Sequence, residues 1–149
     1  MSSVHNLLIL LINCMLHINS NSQCDLLSVI DLQSATYSHS IILRAQPVYS
    51  SEEVLDSFIL RKVLIREILK IPTKSFHSMK TNDTIFLRIE QELDEMLDDS
   101  CWHLLRMENA DIILFLNDTT NRQFHLQYPP VESTLRVREN IQTVLNYGK

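Results

Sequence analysis

The residues through which this sequence could perform metal or nucleophilic chemistry are its six histidines and three cysteines. Their spacing argues against both. His39, His77, His103 and His125 never fall four apart, the spacing that sets two imidazoles on one helix face, and no C-x-x-C occurs. Cys101-Trp102-His103 is the one place where a thiol and an imidazole adjoin. In an extended segment Cys101 and His103 would share a face, with Trp102 opposite. No further ligand lies near, and a disulfide beside an aromatic ring is the plainer reading. Glu90, Glu92, Asp94, Glu95, Asp98 and Asp99 lack the alternating-oxygen spacing and central glycine of a calcium loop, and read as a solvated acidic face. No G-x-S-x-G is present. Gly148 is the only glycine, which removes any glycine-rich phosphate cradle. The sequence thus offers no catalytic residue, no metal site and no cofactor site.

The N-terminus speaks to compartment. Leu7-Leu8-Ile9-Leu10-Leu11-Ile12 opens an apolar stretch that runs through Leu16 and gives way to Asn19-Ser20-Asn21-Ser22-Gln23. The stretch is too short to span a bilayer and suits the apolar region of a signal peptide. Ser20 and Ser22 supply small residues for a cut after Ser22, although no Lys or Arg precedes the apolar run. The expected organisation is a signal peptide over 1–22 and one domain over 23–149. The alternative is an ordinary buried N-terminal helix. Export would remove Cys14 and leave Cys24 and Cys101 as an even pair. A bridge between them would close a long loop, worth roughly 4 kcal/mol in the chain-entropy view. Two unpaired thiols are the alternative in a reducing compartment. Asn82-Asp83-Thr84 and Asn117-Asp118-Thr119 are glycosylation sequons in polar stretches, with Asn82 and Asn117 as acceptors.

Composition is that of a globular chain, 45% hydrophobic and 21% charged. Net charge is −5, and no basic cluster exceeds Arg61-Lys62. Neither nucleic acid nor an anionic membrane surface is expected as a partner. Tyr37 to Val48 reads as extended, with Pro47 ending it or marking an edge. Ser51-Glu52-Glu53 before Val54, Leu55, Phe58 and Ile59 predicts a capped helical turn. Lys62 to Ile71 suits a strand face and a helix face equally, and Pro72 stops it. Thr84 to Ile89 is a short strand; Glu90 to Asp99 is helix-prone. Ala110 to Leu116 is the clearest buried strand, and Phe124, Leu126 and Tyr128 alternate in another until Pro129-Pro130. Ser133 and Thr134 cap a final helix with Val137, Ile141, Val144 and Leu145 on one face. The fold class is α+β, mainly β.

The order of these features resembles the netrin-like modules, the OB-type β-barrels shared by tissue inhibitors of metalloproteinases and the N-terminal domain of agrin. Cys24, the strand around Ile41 to Ala45, the run Lys62 to Lys70 and Cys101 carry the first half. Asp111-Ile112-Ile113-Leu114-Phe115-Leu116-Asn117 looks like the hydrophobic strand and polar turn of agrin and of the N-terminal segment of neuregulins. Phe124 to Tyr128, Pro129-Pro130-Val131-Glu132 and the last helix look like the ending of those modules. The resemblance implies an OB-fold-like barrel with flanking helices, the C-terminal one included. It implies a Cys24–Cys101 disulfide pinning the N-terminal segment to the barrel.

The function implied is that of a secreted, non-catalytic extracellular matrix module binding a laminin coiled coil or another matrix protein. The contact residues carried over are Val137 and Val144, with Ile141 between them. Residue by residue, packing of this stripe on the barrel's own core is the favoured reading, since one face cannot easily serve both ends. A metalloproteinase inhibitor is the alternative, but its C-x-C start is not met by Cys24-Asp25-Leu26. A neuregulin-like secreted fragment with a different partner is another. The acidic segment Glu90 to Asp99 replaces agrin's glycine-rich loop, and Asn146 stands where a further disulfide would anchor the last helix.

Overall fold

In a computed structural model the described residues are 29–48, 52–90 and 103–147. The signal-peptide expectation, Cys24, Cys101 and nearly all of the acidic segment after Glu90 lie outside them. The elements are α1 (Val29–Ser38), β1 (Ile41–Pro47), β2 (Glu53–Val54), β3 (Phe58–Lys70) and β4 (Thr84–Glu90), then a 3-10 turn (His103–Arg106), β5 (Ile112–Leu116), β6 (Gln123–His125), β7 (Val131–Glu132) and α2 (Leu135–Tyr147). The fold is α+β and mainly sheet, with a C-terminal helix.

One mixed sheet of seven strands runs in the order β6-β4-β3-β1-β5-β7, with β2 paired to β3 beside this path. β1, β3 and β4 form an antiparallel meander, β5 returns antiparallel to β1, and β6 lies parallel to β4. The barrel expected from the resemblance is not closed, because β6 and β7 remain as two ends of the sheet.

Chain length nevertheless forces the sheet to curl. A flat sheet in this order would hold its end strands about 24 Å apart. Leu126 to Pro130 must join β6 to β7, and that span reaches only about 20 Å when fully extended. Two register shifts between β1 and β3, at Ile42/Leu43 and Arg44/Ala45, supply the bend, since an extra unpaired residue kinks and twists a strand.

Curling gives the sheet an inside and an outside. Ile41, Leu43 and Ala45 of β1, Ile59, Val63 and Ile65 of β3, Ile85, Leu87 and Ile89 of β4, and Ile112, Leu114 and Leu116 of β5 fill the inside. Leu104, Leu105, Phe124 and Leu126 complete it. Each of the valine, leucine, isoleucine and phenylalanine side chains, moved out of water, contributes roughly 1.5–3 kcal/mol. The outward residues Ile42, Ile113 and Phe115 of β1 and β5 pack instead against Leu32 and Ala35 of α1 and Val137 and Ile141 of α2. Every residue of β5 is therefore buried, which is why its sequence is a continuous apolar run rather than an alternating one.

Several expectations are corrected. The segment at Glu53 and Val54 is a strand rather than a helical turn: Glu53 pairs Leu60 and Val54 pairs Ile59, and Leu55 N–H donates to Phe58 O to close the turn. The β-branched and aromatic residues there gain a ladder that an isolated turn of helix lacks. Lys62 to Lys70 is strand, because β1 and β4 take up both of its edges. Tyr37 and Ser38 end α1 rather than opening a strand. Tyr128 lies beyond β6, although Leu126 N–H still donates to Arg88 O. The cap of α2 forms at Thr134, whose hydroxyl accepts from Val137 N–H at 3.2 Å. With so few glycines, the left-handed turn positions fall to Asn82 (φ 76°) and Asn109 (φ 64°), the non-glycine type that best tolerates them.

Helix α1 has no basic residue in its last turn. Lys70, at the far end of β3, supplies the missing cation: its ammonium donates to Thr36 O at 2.9 Å, Tyr37 O at 3.3 Å and His39 O at 2.6 Å. Burial lowers its pKa from the ordinary lysine value, so these carbonyls hold a partly desolvated charge. Lys70→Met should lower stability by about 1–3 kcal/mol in urea unfolding, because carbonyls at the helix end lose their donor. An unchanged midpoint would show that water replaces the ammonium at no cost.

Candidate functional site

Among the described residues the helices cover the outside of β1 and β5 and not that of β3, β4 and β6, where Phe86 is 44% exposed and Leu60 is buried. Alternation places Phe58, Leu60, Lys62 and Leu64 of β3 and Thr84, Phe86, Arg88 and Glu90 of β4 on this outer surface. Cross-strand pairing sets them in rows. Lys62 stands beside Phe86, and Phe86 beside Gln123; Leu60 stands beside Arg88, and Arg88 beside His125; Phe58 stands beside Glu90. Glu53 of β2 extends the Leu60 row on the other side.

The rows hold one another in place. The Arg88 guanidinium lies 3.7 Å from the centre of the Phe58 ring and donates through Nε to Glu90 Oε1 at 3.1 Å. Stacking and ion pairing together fix the orientation of its planar fork. His125 Nδ1 approaches the same Glu90 oxygen at 3.8 Å. Lys62 Nζ sits 5.9 Å from the centre of the Phe86 ring, which remains 44% exposed. Half-exposed phenylalanine on a strand face, framed by cations, is a surface suited to stacking a ligand.

Two clefts flank β6 and share Arg122. One, of about 250 Å³, is lined by Arg88, Asn121, Arg122, Gln123 and His125. The other, of about 420 Å³, lies between the loop before β4 and the strands, with His77, Met79, Asp83, Phe86 and Phe124 among its walls. That loop is anchored: Ser75 Oγ donates to Asp118 Oδ1 at 2.9 Å and Phe76 N–H to Asp118 Oδ2 at 3.0 Å. His77 adds a ring contact with Phe124 at 4.8 Å and a hydrogen bond to Thr119 O. The first cleft is dominated by donors and the second by mixed chemistry.

A second charged constellation lies at the end of the sheet's interior. Arg61 points inward with Ile59 and Val63, is only 6% exposed, and its Nε–H finds no acceptor among the described residues. Burial lowers its pKa; the attraction of Glu52 opposes this and the repulsion of Arg106 adds to it. Arg106 Nε donates to Glu52 Oε1 at 3.1 Å, so one carboxylate serves two guanidinium groups. Elsewhere Arg44 links Asp111 and Glu67, at 2.9 Å and 3.3 Å, and its pKa is raised chiefly by the hydrogen bond to Asp111. That link braces β1, β3 and β5 on their exposed outer portion.

The residues singled out from sequence fare differently. Val137 and Ile141 are buried at 2% and 1% exposure in the cluster beneath the helices, and Val144 is half-buried on the same side. Two of the three residues carried over as a partner contact, Val137 and Ile141, are thus occupied by the protein's own core. Asn82 and Asn117 are both exposed on loops. Cys24 and Cys101 lie outside the described residues. His39 packs against Phe115 and Tyr128 beside α1, His77 on Phe124, and His103 is exposed in the 3-10 turn, so these three histidines do not converge. Among the described residues no three His, Cys, Asp or Glu side chains gather as metal ligands would. The Arg88–Arg122–His125 grouping was not anticipated. Its only sequence signal is the outward alternation Phe86, Arg88, Glu90 and Gln123, His125, which gives no hint that the two segments are neighbours.

No protein-family model matches this sequence, and no curated protein matches it either.

Burial of the helix stripe has a measurable consequence. Ile141→Ala should cost about 2–5 kcal/mol in chemical denaturation, and Val144→Ala about 1 kcal/mol or less. Equal and small losses at both positions would mean that α2 rests only loosely on the sheet.

Proposed function

We propose that this chain is an exported, non-catalytic module that binds extracellular matrix through the outer surface of β3, β4 and β6. The observation that carries this reading is the pair of cation–ring rows, Lys62 with Phe86 and Arg88 with Phe58, on the sheet surface that neither described helix covers. The apolar leader, the sequons and the likeness to netrin-like modules support export. Exposure of Asn82 and Asn117 fits glycan addition at both loops. In this reading Cys24 and Cys101 form the staple that ties the mature N-terminus to the sheet.

A laminin coiled coil docking on α2 is the second reading. It is favoured by Leu135 and Tyr147, exposed at 65% and 86% at the two ends of that helix. Contact through Val137 and Ile141 themselves would require α2 to leave the sheet. The two readings place the partner on opposite sides of the molecule, so single substitutions separate them.

Expressed with its leader in a eukaryotic secretory host, the protein should reach the medium beginning at Gln23, with Cys24 and Cys101 joined. Mass spectrometry should find glycans that vanish with Asn82→Gln and Asn117→Gln. The secreted product should adhere to cell-derived matrix, with Phe86→Asp weakening adhesion at least tenfold and Val144→Asp leaving it intact. Retention in the cytosol with both thiols free contradicts export. Loss on Val144→Asp alone, in a folded variant, replaces the sheet surface with the helix.

A further inference from the structure

The smaller cleft beside β6 carries more chemical detail than a general binding surface requires. Arg88, Asn121, Arg122, Gln123 and His125 line it, and each can present an N–H to an occupant. Gln123 and His125 project outward from β6 next to Phe86 and Arg88 because the parallel pairing of β4 and β6 fixes them there. Arg88 is oriented in advance by the Phe58 ring beneath it and by Glu90 beside it. Asn121 and Arg122 arrive from the loop before β6. A donor-lined cleft of this kind selects for acceptor-rich ligands.

Charge sets how negative that ligand can be. Arg88 and Arg122 contribute two positive charges, and Glu90 returns one negative charge through its contact with Arg88. Within the lining this leaves one net positive charge for a single anionic group to balance, and Lys62, beside Phe86, adds a cation one row away. A carboxylate or a sulfate ester is such a group, and either accepts paired hydrogen bonds from a guanidinium fork. The neutral donors Asn121 and Gln123 are then left for hydroxyl groups. Phe86, 44% exposed and adjoining Gln123, offers a ring face on which the C–H side of a sugar can rest. The volume of about 250 Å³ corresponds to roughly eight waters at their liquid volume, the scale of one sugar ring.

We infer that this cleft is a subsite for one acidic sugar residue, a hydroxylated ring bearing a single carboxylate or sulfate ester, within a matrix polysaccharide. The inference rests on the matrix-binding reading and names the chemistry that the sheet surface recognises. Arg88 and Arg122 hold the anionic group, Asn121, Gln123 and His125 hold hydroxyls, and Phe86 stacks the neighbouring part of the chain.

The test is amide-resolved NMR titration of the secreted protein with four probes: hyaluronan oligosaccharides, which carry carboxylate alone; sulfated oligosaccharides free of uronate; neutral chitin oligosaccharides; and inorganic sulfate. The expected result is saturable shifts at Phe86, Arg88 and residues 121–125 with at least one of the two acidic oligosaccharides, and which of the two binds identifies the anionic group. Neutral oligosaccharides and sulfate alone should bind at least tenfold more weakly. Arg122→Gln, with an unchanged melting temperature, should weaken the acidic oligosaccharide at least tenfold. Arg88→Lys keeps the charge but loses the fork, and should also weaken it. Equal affinity for the neutral chain, insensitivity to Arg122→Gln, or no shift at these residues with either acidic chain overturns the sugar assignment. Adhesion to matrix lost with Phe86→Asp but kept with Arg122→Gln would retain the sheet surface and discard this subsite. Adhesion indifferent to both would discard the surface as well.

Discussion

The contact on which the rest of this structure depends is the closure of α1 and α2 over the outside of β1 and β5. Ile42, Ile113 and Phe115 would otherwise present a broad apolar patch to water, and Leu32, Ala35, Val137 and Ile141 cover it. A sheet that curls must still bury the outward residues of its most apolar strands. Here the segments before the first strand and after the last perform that task together, which gives the chain a core on both sides of β5. The arrangement also decides what remains for recognition. With β1 and β5 covered, the outer surface left among the described residues belongs to β3, β4 and β6, where Phe86 is 44% exposed and Arg88 is held against Phe58 and Glu90.

Polar groups reinforce this division. Lys70 joins the end of β3 to the end of α1, so the helix is tied to the meander as well as to the core beneath it. Arg44 bridges Asp111 and Glu67 on the part of the outer surface that the helices do not reach. The Ser75, Phe76 and His77 contacts with the loop before β6 hold two otherwise independent loops together at one rim of the sheet. The result is a rigid frame for the clefts beside β6, whose walls come from a strand, a strand neighbour and two mutually anchored loops. Arg61 is the discordant element: a guanidinium on the interior surface, balanced by a carboxylate it shares with Arg106. Buried ions of this kind add little net stability and are often retained for reasons other than stability.

Legibility of the fold in the sequence followed the range of the forces involved. β5 and β4 were legible because continuous and alternating apolar runs report burial on two faces and on one. The start of α2 was legible because Thr134 is a cap residue placed just ahead of a helical stripe. The run from Lys62 to Lys70 was undecidable locally, since its periodicity fits both states and only the neighbours β1 and β4 resolve it. Glu53 and Val54 looked helical because acidic residues after a serine favour a helix start, and a two-residue pairing with β3 overrode that local signal. Helix α1 had no strong stripe to announce it; its inward Leu32, Ala35 and Thr36 include only one large apolar residue. The stripe on α2 was seen correctly as a stripe, yet sequence could not say whether it faced the core or a partner. The donor cleft was illegible for a different reason: β6 lies parallel to β4 across more than thirty residues of chain, and no local pattern encodes that neighbour.

Native-state hydrogen exchange measures this closure most directly. If the helix stripe is part of the same core as the sheet, amides of Val137 to Ile141 should exchange with an opening free energy close to that of Ile113 to Phe115, and Ile141→Ala should lower both together. Exchange of the helix amides at a far lower opening energy, with the sheet still fully protected, would show that α2 parts from the sheet on its own. The stripe would then be free to meet a partner, and the division of surfaces described here would not hold.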